Sequence, residues 1–204
     1  MKKREAIMDG ARKVFTREGY DGASMDAVAK EARVAKPTLY KYFRDKNALY
    51  VAVVESSLTA RREEIAGDEL TDLPPSEGIR VIARQMTLLF GRDNEMLSLA
   101  RMTFSGFNRF PLASATFHEN GPRRGRKQIE KLLEHWKAQG ELAIEDPQCA
   151  SEQLVELCKA CLFDKRMFGD DQKVSIETCE RIAEEAALTF LARYGVATTD
   201  GKSG

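Results

Sequence analysis

Hydrophobic residues recur every three or four positions along nearly the whole chain, which is the spacing that places them on one face of an α-helix. No alternation of apolar and polar residues lasts long enough to indicate a β-strand. The sequence therefore predicts an all-α protein. The predicted helices span about 3–18, 25–32, 36–43, 46–64, 77–91, 94–109, 122–138, 148–168 and 175–194.

Residues that favour helix ends mark the boundaries of the first four helices. Gly19 is expected to terminate the first helix, since glycine readily adopts the left-handed backbone found there. Ser24 and Asp45 are good N-cap residues for the second and fourth helices. Pro37 falls in the first turn of the third helix, where its missing N–H costs nothing.

The second and third helices are short and are joined by a three-residue corner, the arrangement of a helix-turn-helix that places its second helix in the DNA major groove. On the third helix, Leu39 and Phe43 lie four residues apart and should point inward. Lysine, threonine and tyrosine occupy the other face and suit phosphates and base edges. The alternative is a solvated helix with spare aromatic residues.

Charge is distributed unevenly, although the whole chain has a net charge of zero. Residues 1–62 carry 14 Lys and Arg against 8 Asp and Glu, whereas residues 63–204 carry 18 against 24. A basic first part attached to an acidic remainder is consistent with only the first part meeting phosphate.

Several classes of protein are not expected from this sequence. The only histidines, His118 and His135, have neither metal nor catalytic-triad spacing, and no phosphate-binding glycine loop is present, so we expect no enzyme, metal or cofactor. No apolar stretch approaches the roughly 20 residues that cross a bilayer, so a cytoplasmic protein without a membrane partner is expected. Four cysteines in a chain of this size predict reduced, small core residues.

From Ala6 to about Glu55 the sequence resembles the N-terminal domain of the TetR/AcrR family of bacterial regulators. The matching residues are Ala11 to Phe15, Glu18 to Tyr20, Ser24 to Ala29, Pro37 to Tyr40, Phe43 and Lys46 to Tyr50. The stretch from about Leu97 to Gly169 more loosely resembles the AefR-like regulatory domain, through Phe107 to Pro111, Gly140 to Leu142 and Asp146-Pro147. The resemblance implies a three-helix DNA-binding domain at 1–50, a helical ligand-binding and dimerisation domain at 51–196, and we expect a disordered tail at 197–204.

The resemblance also implies which residues meet DNA. Bases and nearby backbone would be approached by Lys36, Pro37, Thr38 and Tyr42, and phosphates would be held by Ser24, Tyr40, Lys41 and Lys46. Lys46 lies in the first turn of a helix, where a cation opposes the helix dipole, so a bound phosphate would explain its presence. A freely solvated Lys46 is the alternative.

The corner of the helix-turn-helix departs from the family pattern at two positions. Arg33 stands where the family commonly has glycine, and Ala35 stands where it commonly has a small hydroxyl residue. A left-handed backbone at a residue other than glycine costs roughly 1–2 kcal/mol, and a missing N-cap side chain costs about 1 kcal/mol. Both changes are expected to weaken the corner.

A single short recognition helix reads few bases, so a homodimer on a palindromic operator of double-stranded DNA is expected. The apolar stripes of the last two long helices are the predicted dimer interface, packed as a four-helix bundle; the alternative is that they pack within one chain. The interface residues are Leu154, Leu157, Cys158, Cys161, Ile182, Ala183, Ala186 and Phe190.

Methionine and aromatic residues are concentrated between the DNA-binding domain and the predicted interface, where they could form the adaptable wall of an apolar ligand cavity or simply the core. The helix at 94–109 is apolar on most sides, so it should be buried or line that cavity. The candidate pocket residues are Met86, Phe90, Met102, Phe104, Phe107, Phe110, Phe117 and Trp136.

These features together predict a DNA-binding regulator, with a repressor that is released by a small, largely apolar effector as the main hypothesis. In relatives an inducer changes the separation of the two DNA-binding domains, which requires that it bind one state more tightly than the other. The alternative is a redox-sensing regulator that uses Cys158 and Cys161.

Overall fold

A computed structural model of the protein describes residues 2–60, 68–109, 111–160, 162–170 and 172–196. Each stretch that the apolar periodicity predicts to be helical contains an α-helix. The expected tail at 197–204, the end of the helix predicted at 46–64, and the side chains of Phe110 and Cys161 lie outside the described residues. No β-strand occurs in the described ranges, so the all-α prediction is confirmed. None of the described helices is long and apolar enough to cross a membrane.

The described helices follow one another through short turns. A 3-10 helix at Asp68–Asp72 precedes α5, and a π-helical turn at Glu119–Arg123 precedes α8. The α-helices are α1 (Lys2–Gly22), α2 (Met25–Glu31), α3 (Lys36–Tyr42), α4 (Lys46–Ala60), α5 (Pro75–Arg92), α6 (Asn94–Ser105), α7 (Pro111–His118), α8 (Arg124–Ala138), α9 (Pro147–Lys159), α10 (Phe163–Met167) and α11 (Ile176–Tyr194).

Several elements differ from the sequence prediction, and α6 ends at Ser105, four residues before the predicted end. The first helix continues to Gly22, although Gly19 (φ 69°, ψ 178°) interrupts it at the predicted position. The single helix predicted at 148–168 is two, because the backbone of Ala160 (φ −45°, ψ 122°) leaves the helical region. Helix α7 was not predicted; it begins at Pro111, which suits a helix N-terminus.

The chain divides into two compact units that each combine two stretches of sequence. The first unit contains the described parts of 1–62 together with 94–123, and therefore holds α1–α4, α6 and α7. The second contains the described parts of 63–93 and 124–204, and holds α5 and α8–α11. Helices α6 and α7 thus fold with the predicted DNA-binding helices, whereas a functional boundary at residue 50 stays a prediction.

A polar junction joins three helices of the first unit. Arg12 of α1 donates from Nε to the Ser57 hydroxyl of α4 at 3.3 Å and lies 3.0 Å from the Glu95 carboxylate of α6. Ser57, which is only 1% exposed, donates to the same Glu95 oxygen at 2.9 Å. Buried polar groups are costly unless they are hydrogen-bonded, and here each group supplies a partner for the others. The junction therefore fixes α1, α4 and α6 to one another.

The core of the second unit is built around Trp136 of α8, which is completely buried. Its indole Nε1 donates to the Leu73 carbonyl at 3.0 Å, which satisfies the only polar group of the ring. The ring packs against Gly78 of α5 so closely that a Cβ added there would lie 2.4 Å from Cζ2. A glycine is therefore required on α5 to admit the ring.

The apolar stripes of α9 and α11 contribute to this same core, and the predicted dimer interface stays a prediction. Most of these side chains are buried because the inner faces of the two helices pack within their own unit. Leu157 and Ile182 are the described members of the predicted set that keep partial exposure. The buried members are Leu154, Cys158, Ala183, Ala186 and Phe190.

Replacement of Gly78 by alanine tests the packing of Trp136. The new Cβ would overlap Cζ2 and Cη2 of a rigid, fully buried ring, so we expect Gly78→Ala to lower the free energy of unfolding by about 1–3 kcal/mol. Urea denaturation measures the change. Gly125→Ala is the matched control: an added Cβ in α8 meets no atom within 4 Å, so stability should rise by up to about 1 kcal/mol. Equal stability of Gly78→Ala and wild type would contradict the packing argument.

Candidate nucleic-acid interface

Helix α3 presents its polar face to solvent and is held from behind by two apolar side chains. Leu39 is fully buried and Phe43, which follows the helix, is 6% exposed, as the spacing predicted. The guanidinium of Arg4 lies over the Phe43 ring, 5.6 Å from its centroid, and ties the start of α1 to this end of α3. On the outer face Thr38 is half-buried, and the exposed residues are Lys36, Pro37, Tyr40, Lys41 and Tyr42.

The N-terminus of α2 is capped as predicted. The Ser24 hydroxyl oxygen accepts a hydrogen bond from the Ala27 N–H at 3.0 Å. Because the hydroxyl can donate while its oxygen accepts, this capping bond leaves the O–H of an exposed residue available to an anion. Capping and phosphate contact are therefore compatible at Ser24.

The corner between α2 and α3 is a Schellman turn with arginine in the left-handed position. Arg33 has φ 53°, while the Val34 N–H bonds to the Ala29 carbonyl at 3.0 Å and the Arg33 N–H bonds to the Lys30 carbonyl at 3.2 Å. These bonds satisfy the last carbonyls of α2 and require the left-handed backbone. The expected local cost at Arg33, roughly 1–2 kcal/mol relative to glycine, therefore has a structural basis.

The other atypical residue of the corner also has its expected consequence. Ala35 is the N-cap of α3 and provides no side-chain hydrogen bond to the first turn. The turn relies instead on the Ala35 carbonyl, which accepts from the Thr38 N–H at 2.9 Å. A serine at this position would supply the missing cap, worth about 1 kcal/mol.

Gly10 of α1 is a positioning residue that the sequence reasoning missed. A Cβ at this position would lie 2.8 Å from the Ala32 nitrogen and 2.9 Å from the Ala32 Cβ, so glycine lets α1 touch the end of α2. The contact sets the position of the corner and, through it, of α3. An isolated glycine inside an otherwise helical pattern was the available signal.

The structure gives Lys46 partners within the protein. Its ammonium donates to the Tyr20 carbonyl at 2.8 Å and to the Ala23 carbonyl at 2.9 Å, and it lies 4.3 Å from the centroid of the Tyr20 ring. Carbonyl groups at the C-terminal end of α1 and just after it thus compensate a cation in the first turn of α4, and no phosphate is needed to explain it. The predicted phosphate contact has at most the one remaining N–H of Lys46 to use.

The lysines of the candidate interface differ in their partners. Lys36 pairs with Asp26 at 2.5 Å, a surface contact between two largely exposed side chains. Lys41 has no acidic partner in the described part of the chain, and its side chain is exposed. Exposed ion pairs contribute little to stability, so both ammonium groups can reach an anion at small cost.

The candidate pocket residues differ widely in solvent exposure, and each of the two units is described separately. In the second unit Met86 and Trp136 are buried and Phe90 is half-buried; in the first, Phe117 is buried and Met102 is half-buried. Phe104 and Phe107 are each 64% exposed, so neither lines an enclosed cavity within its unit. The expectation that the helix at 94–109 is covered on most sides is therefore wrong for its outer face.

The two buried cysteines among the described residues, Cys158 and Cys179, give no support to redox sensing. Cys158 is fully buried, and this burial raises the pKa of its thiol to about 12. Burial also raises the pKa of Cys179. A thiol with a raised pKa stays protonated at neutral pH, and the thiolate is the form that reacts. No group of metal-binding side chains occurs among the described residues.

Comparison with known families assigns both parts of the chain. Residues 7–53 match the model of bacterial regulatory proteins of the tetR family, and residues 77–196 match the C-terminal domain of AefR-like transcriptional repressors. YvdT, an HTH-type transcriptional regulator of Bacillus subtilis (strain 168), is 40% identical over 65 residues, covering 32% of this chain and 34% of that protein. UidR of Escherichia coli (strain K12) is 36% identical over 73 residues, covering 34% and 37%. The matched segment thus spans about a third of these curated relatives.

Solved structures match over nearly the full length. A TetR-family transcriptional regulator from Mesorhizobium loti MAFF303099 has a TM-score of 0.85 and 29% identity, covering 96% of this chain and 97% of that one. The flavonoid-responsive regulator FrrA has a TM-score of 0.79 and 28% identity, covering 96% and 98%. The fold and the arrangement of α2 and α3 define a helix-turn-helix regulator with a helical C-terminal domain. The chain belongs to the TetR family of bacterial transcriptional regulators, which are not enzymes.

Replacement of Gly10 tests whether α1 positions the corner. In Gly10→Ala the new methyl group would overlap backbone atoms of Ala32, so α2 has to shift. We expect unfolding free energy to fall by about 1–3 kcal/mol and the amide NMR shifts of Arg33 to Lys36 to move. Gly22→Ala is the control, because its Cβ would meet only Glu18 Cβ at an ordinary 3.5 Å. Unchanged corner shifts in folded Gly10→Ala would show that Gly10 does not position α3.

Proposed function

We propose that the protein is a homodimeric transcriptional repressor that binds a palindromic operator and is released by a small, largely apolar ligand. The exposed face of α3 carries the proposal: Lys36, Tyr40, Lys41 and Tyr42 project from a helix that Leu39 and Phe43 hold in place. Lysine binds phosphates, while threonine and tyrosine hydroxyls can also reach base edges.

The positions at which known families and relatives match this chain favour repression over activation. The description as a repressor belongs to the family model that matches residues 77–196, the part that would transmit regulation. The transcriptional activator FasR of Mycolicibacterium smegmatis matches over only 53 residues, 26% of this chain.

A reporter gene tests repression directly. When its expression is controlled by the DNA that flanks the protein's own gene, it should be expressed more strongly after that gene is deleted.

Lys41 is the sharpest test of the DNA contact, because it is exposed and has no acidic partner in the described chain. Lys41→Gln should weaken binding to specific and non-specific duplexes alike and reduce the slope of log K against log salt by about 0.9 for each phosphate that the variant no longer neutralises. Binding to the DNA that flanks the protein's own gene, titrated with salt, measures both effects.

The matched control is Lys131→Gln on the exposed face of α8, which removes the same charge outside the proposed interface. Its salt slope should equal that of wild type. A slope for Lys41→Gln that equals the wild-type value would rule out the phosphate contact.

The proposed dimer uses the surface between α9 and α11 that the chain leaves open. A groove of about 490 Å³ lies there, lined by Leu157, Ala160, Arg193 and Tyr194 among others. Tyr194 donates to Gln153 at 2.6 Å and so ties the two helices together beneath the groove. A second copy can cover this surface through a two-fold axis, which also supplies the second α3 that a palindrome requires.

Disruption of the groove should dissociate the dimer. Leu157→Glu introduces a charge that a packed interface would have to desolvate, so we expect monomers at concentrations where wild type is dimeric. Light scattering coupled to gel filtration measures the mass. Ile176→Glu, at an exposed position outside the groove lining, should stay dimeric. A dimeric Leu157→Glu would place the interface elsewhere.

Effector release is supported by what related proteins bind. FrrA is described as flavonoid-responsive, and two structures that share the fold at lower identity contain triclosan or stearoyl-CoA. These ligands are largely apolar or carry a long apolar chain. Within the second unit the buried Met86 and half-buried Phe90, or within the first unit the half-buried Met102 and buried Phe117, stay candidates for contacting one. The test is operator binding with and without a flavonoid, triclosan or stearoyl-CoA. A ligand that binds the protein but leaves operator affinity unchanged is not its effector.

A further inference from the structure

Arg33 is the only residue other than glycine with a positive φ in the described part of the chain. Its conformation is fixed by the two backbone hydrogen bonds of the Schellman turn, which involve no side-chain atom of Arg33. Glycine would form the same turn without the strain of a Cβ. The fold therefore does not require an arginine at this position, and the side chain must be explained by something other than the turn.

The Arg33 side chain is exposed and has no ion pair or hydrogen bond within the described residues. Three other cations around the helix-turn-helix do have such partners: Lys36 pairs with Asp26, Arg17 with Glu18 and Glu31, and Arg44 with Asp45. Arg33 shares its lack of an acidic partner within the described residues with Lys41 of the candidate interface. Arg33 thus keeps a complete guanidinium available. Five N–H donors in a planar fork match a phosphate well.

The place of Arg33 in the chain brings this guanidinium close to the proposed DNA surface. Helix α3 has seven residues and is therefore about 10 Å long, comparable with the roughly 12 Å width of the major groove. Residues just outside the ends of so short a helix lie near the phosphates that line the groove. Arg33 is three residues before Lys36, the first residue of α3.

We infer that Arg33 is a further DNA-binding residue, which contacts a backbone phosphate beside the half-site that α3 reads. The inference rests on the proposed function and adds to it a contact that a glycine at the corner could not make. A phosphate contact fixes position and adds affinity without discriminating between sequences. On this account, the DNA contact that the charged side chain makes offsets the cost of the strained backbone at Arg33.

Three substitutions of Arg33 separate the effect of its side-chain charge on DNA binding from the effect of its strained backbone. Arg33→Gly removes both, Arg33→Asn removes the charge at a residue type that tolerates the left-handed region, and Arg33→Lys keeps a charge. The probes are duplex DNA from the region that flanks the gene and a scrambled duplex of the same length and composition. Thermal denaturation should show that Arg33→Gly is at least as stable as wild type, so that weaker binding cannot be caused by unfolding.

We expect Arg33→Gly and Arg33→Asn to bind both duplexes about three- to tenfold more weakly, with the salt slope reduced by about 0.9 for each phosphate that is no longer neutralised. Arg33→Lys should keep the wild-type salt slope because it keeps the charge, with an affinity between those of wild type and Arg33→Gly. Lys131→Gln again controls for net charge and should behave as wild type.

Wild-type affinity and slope in Arg33→Gly would overturn the inference, as would an equal loss in Lys131→Gln. An Arg33→Lys variant whose salt slope falls as far as that of Arg33→Gly would also overturn it, because the lysine keeps the charge. If wild type binds neither duplex, the proposed function itself fails. If wild type binds and Arg33→Gly matches it, the proposed function stands and only the Arg33 contact is rejected.

Discussion

Burial of Leu39 and Phe43 is the interaction on which the DNA-binding part of this protein depends. Helix α3 has seven residues and α2 has seven, far below the length at which an isolated helix is stable in water. Neither helix can therefore hold its geometry without the rest of its unit. The same two side chains that anchor α3 also decide which of its faces is turned outward. Recognition of DNA is, in this sense, a consequence of packing.

The supporting structure extends beyond the helix-turn-helix itself. Arg12, Ser57 and Glu95 join α1 and α4 to α6, a helix that follows them by more than 30 residues in the chain. Loss of one member of such a partly buried junction leaves the other groups without partners, which typically costs about 1–3 kcal/mol. A displacement of α6 must therefore either carry the DNA-binding helices with it or break the junction. This gives an effector that acts on α6 a physical route to α3.

The sequence predicts those features that depend on a few neighbouring residues. It does not predict those that depend on a contact with a residue far away in the chain. The Ser24 cap and the break at Gly19 each follow from a few adjacent residues. The left-handed backbone at Arg33 was expected from the resemblance to a family that commonly has glycine there. The contact of Gly10 with Ala32 and the carbonyl partners of Lys46 join residues more than 20 positions apart. Periodicity likewise shows which face of a helix is apolar, but not what covers it. For that reason periodicity could not divide the inner stripes of α9 and α11 between the core of their own chain, which buries most of them, and a dimer interface.

The corner of the helix-turn-helix shows how strain can persist at a functional site. Arg33 and Ala35 each make the corner less stable than the family's usual residues would, by roughly 1–2 and about 1 kcal/mol. Backbone hydrogen bonds from Arg33 and Val34 hold the turn, and the close contact between Gly10 and Ala32 fixes the end of α2 against α1. The conformation is thus imposed by the backbone and by α1, and the side chains at the corner are free to vary. A residue released from a structural role in this way, next to the proposed DNA-binding surface, can acquire a charge at a modest cost in stability.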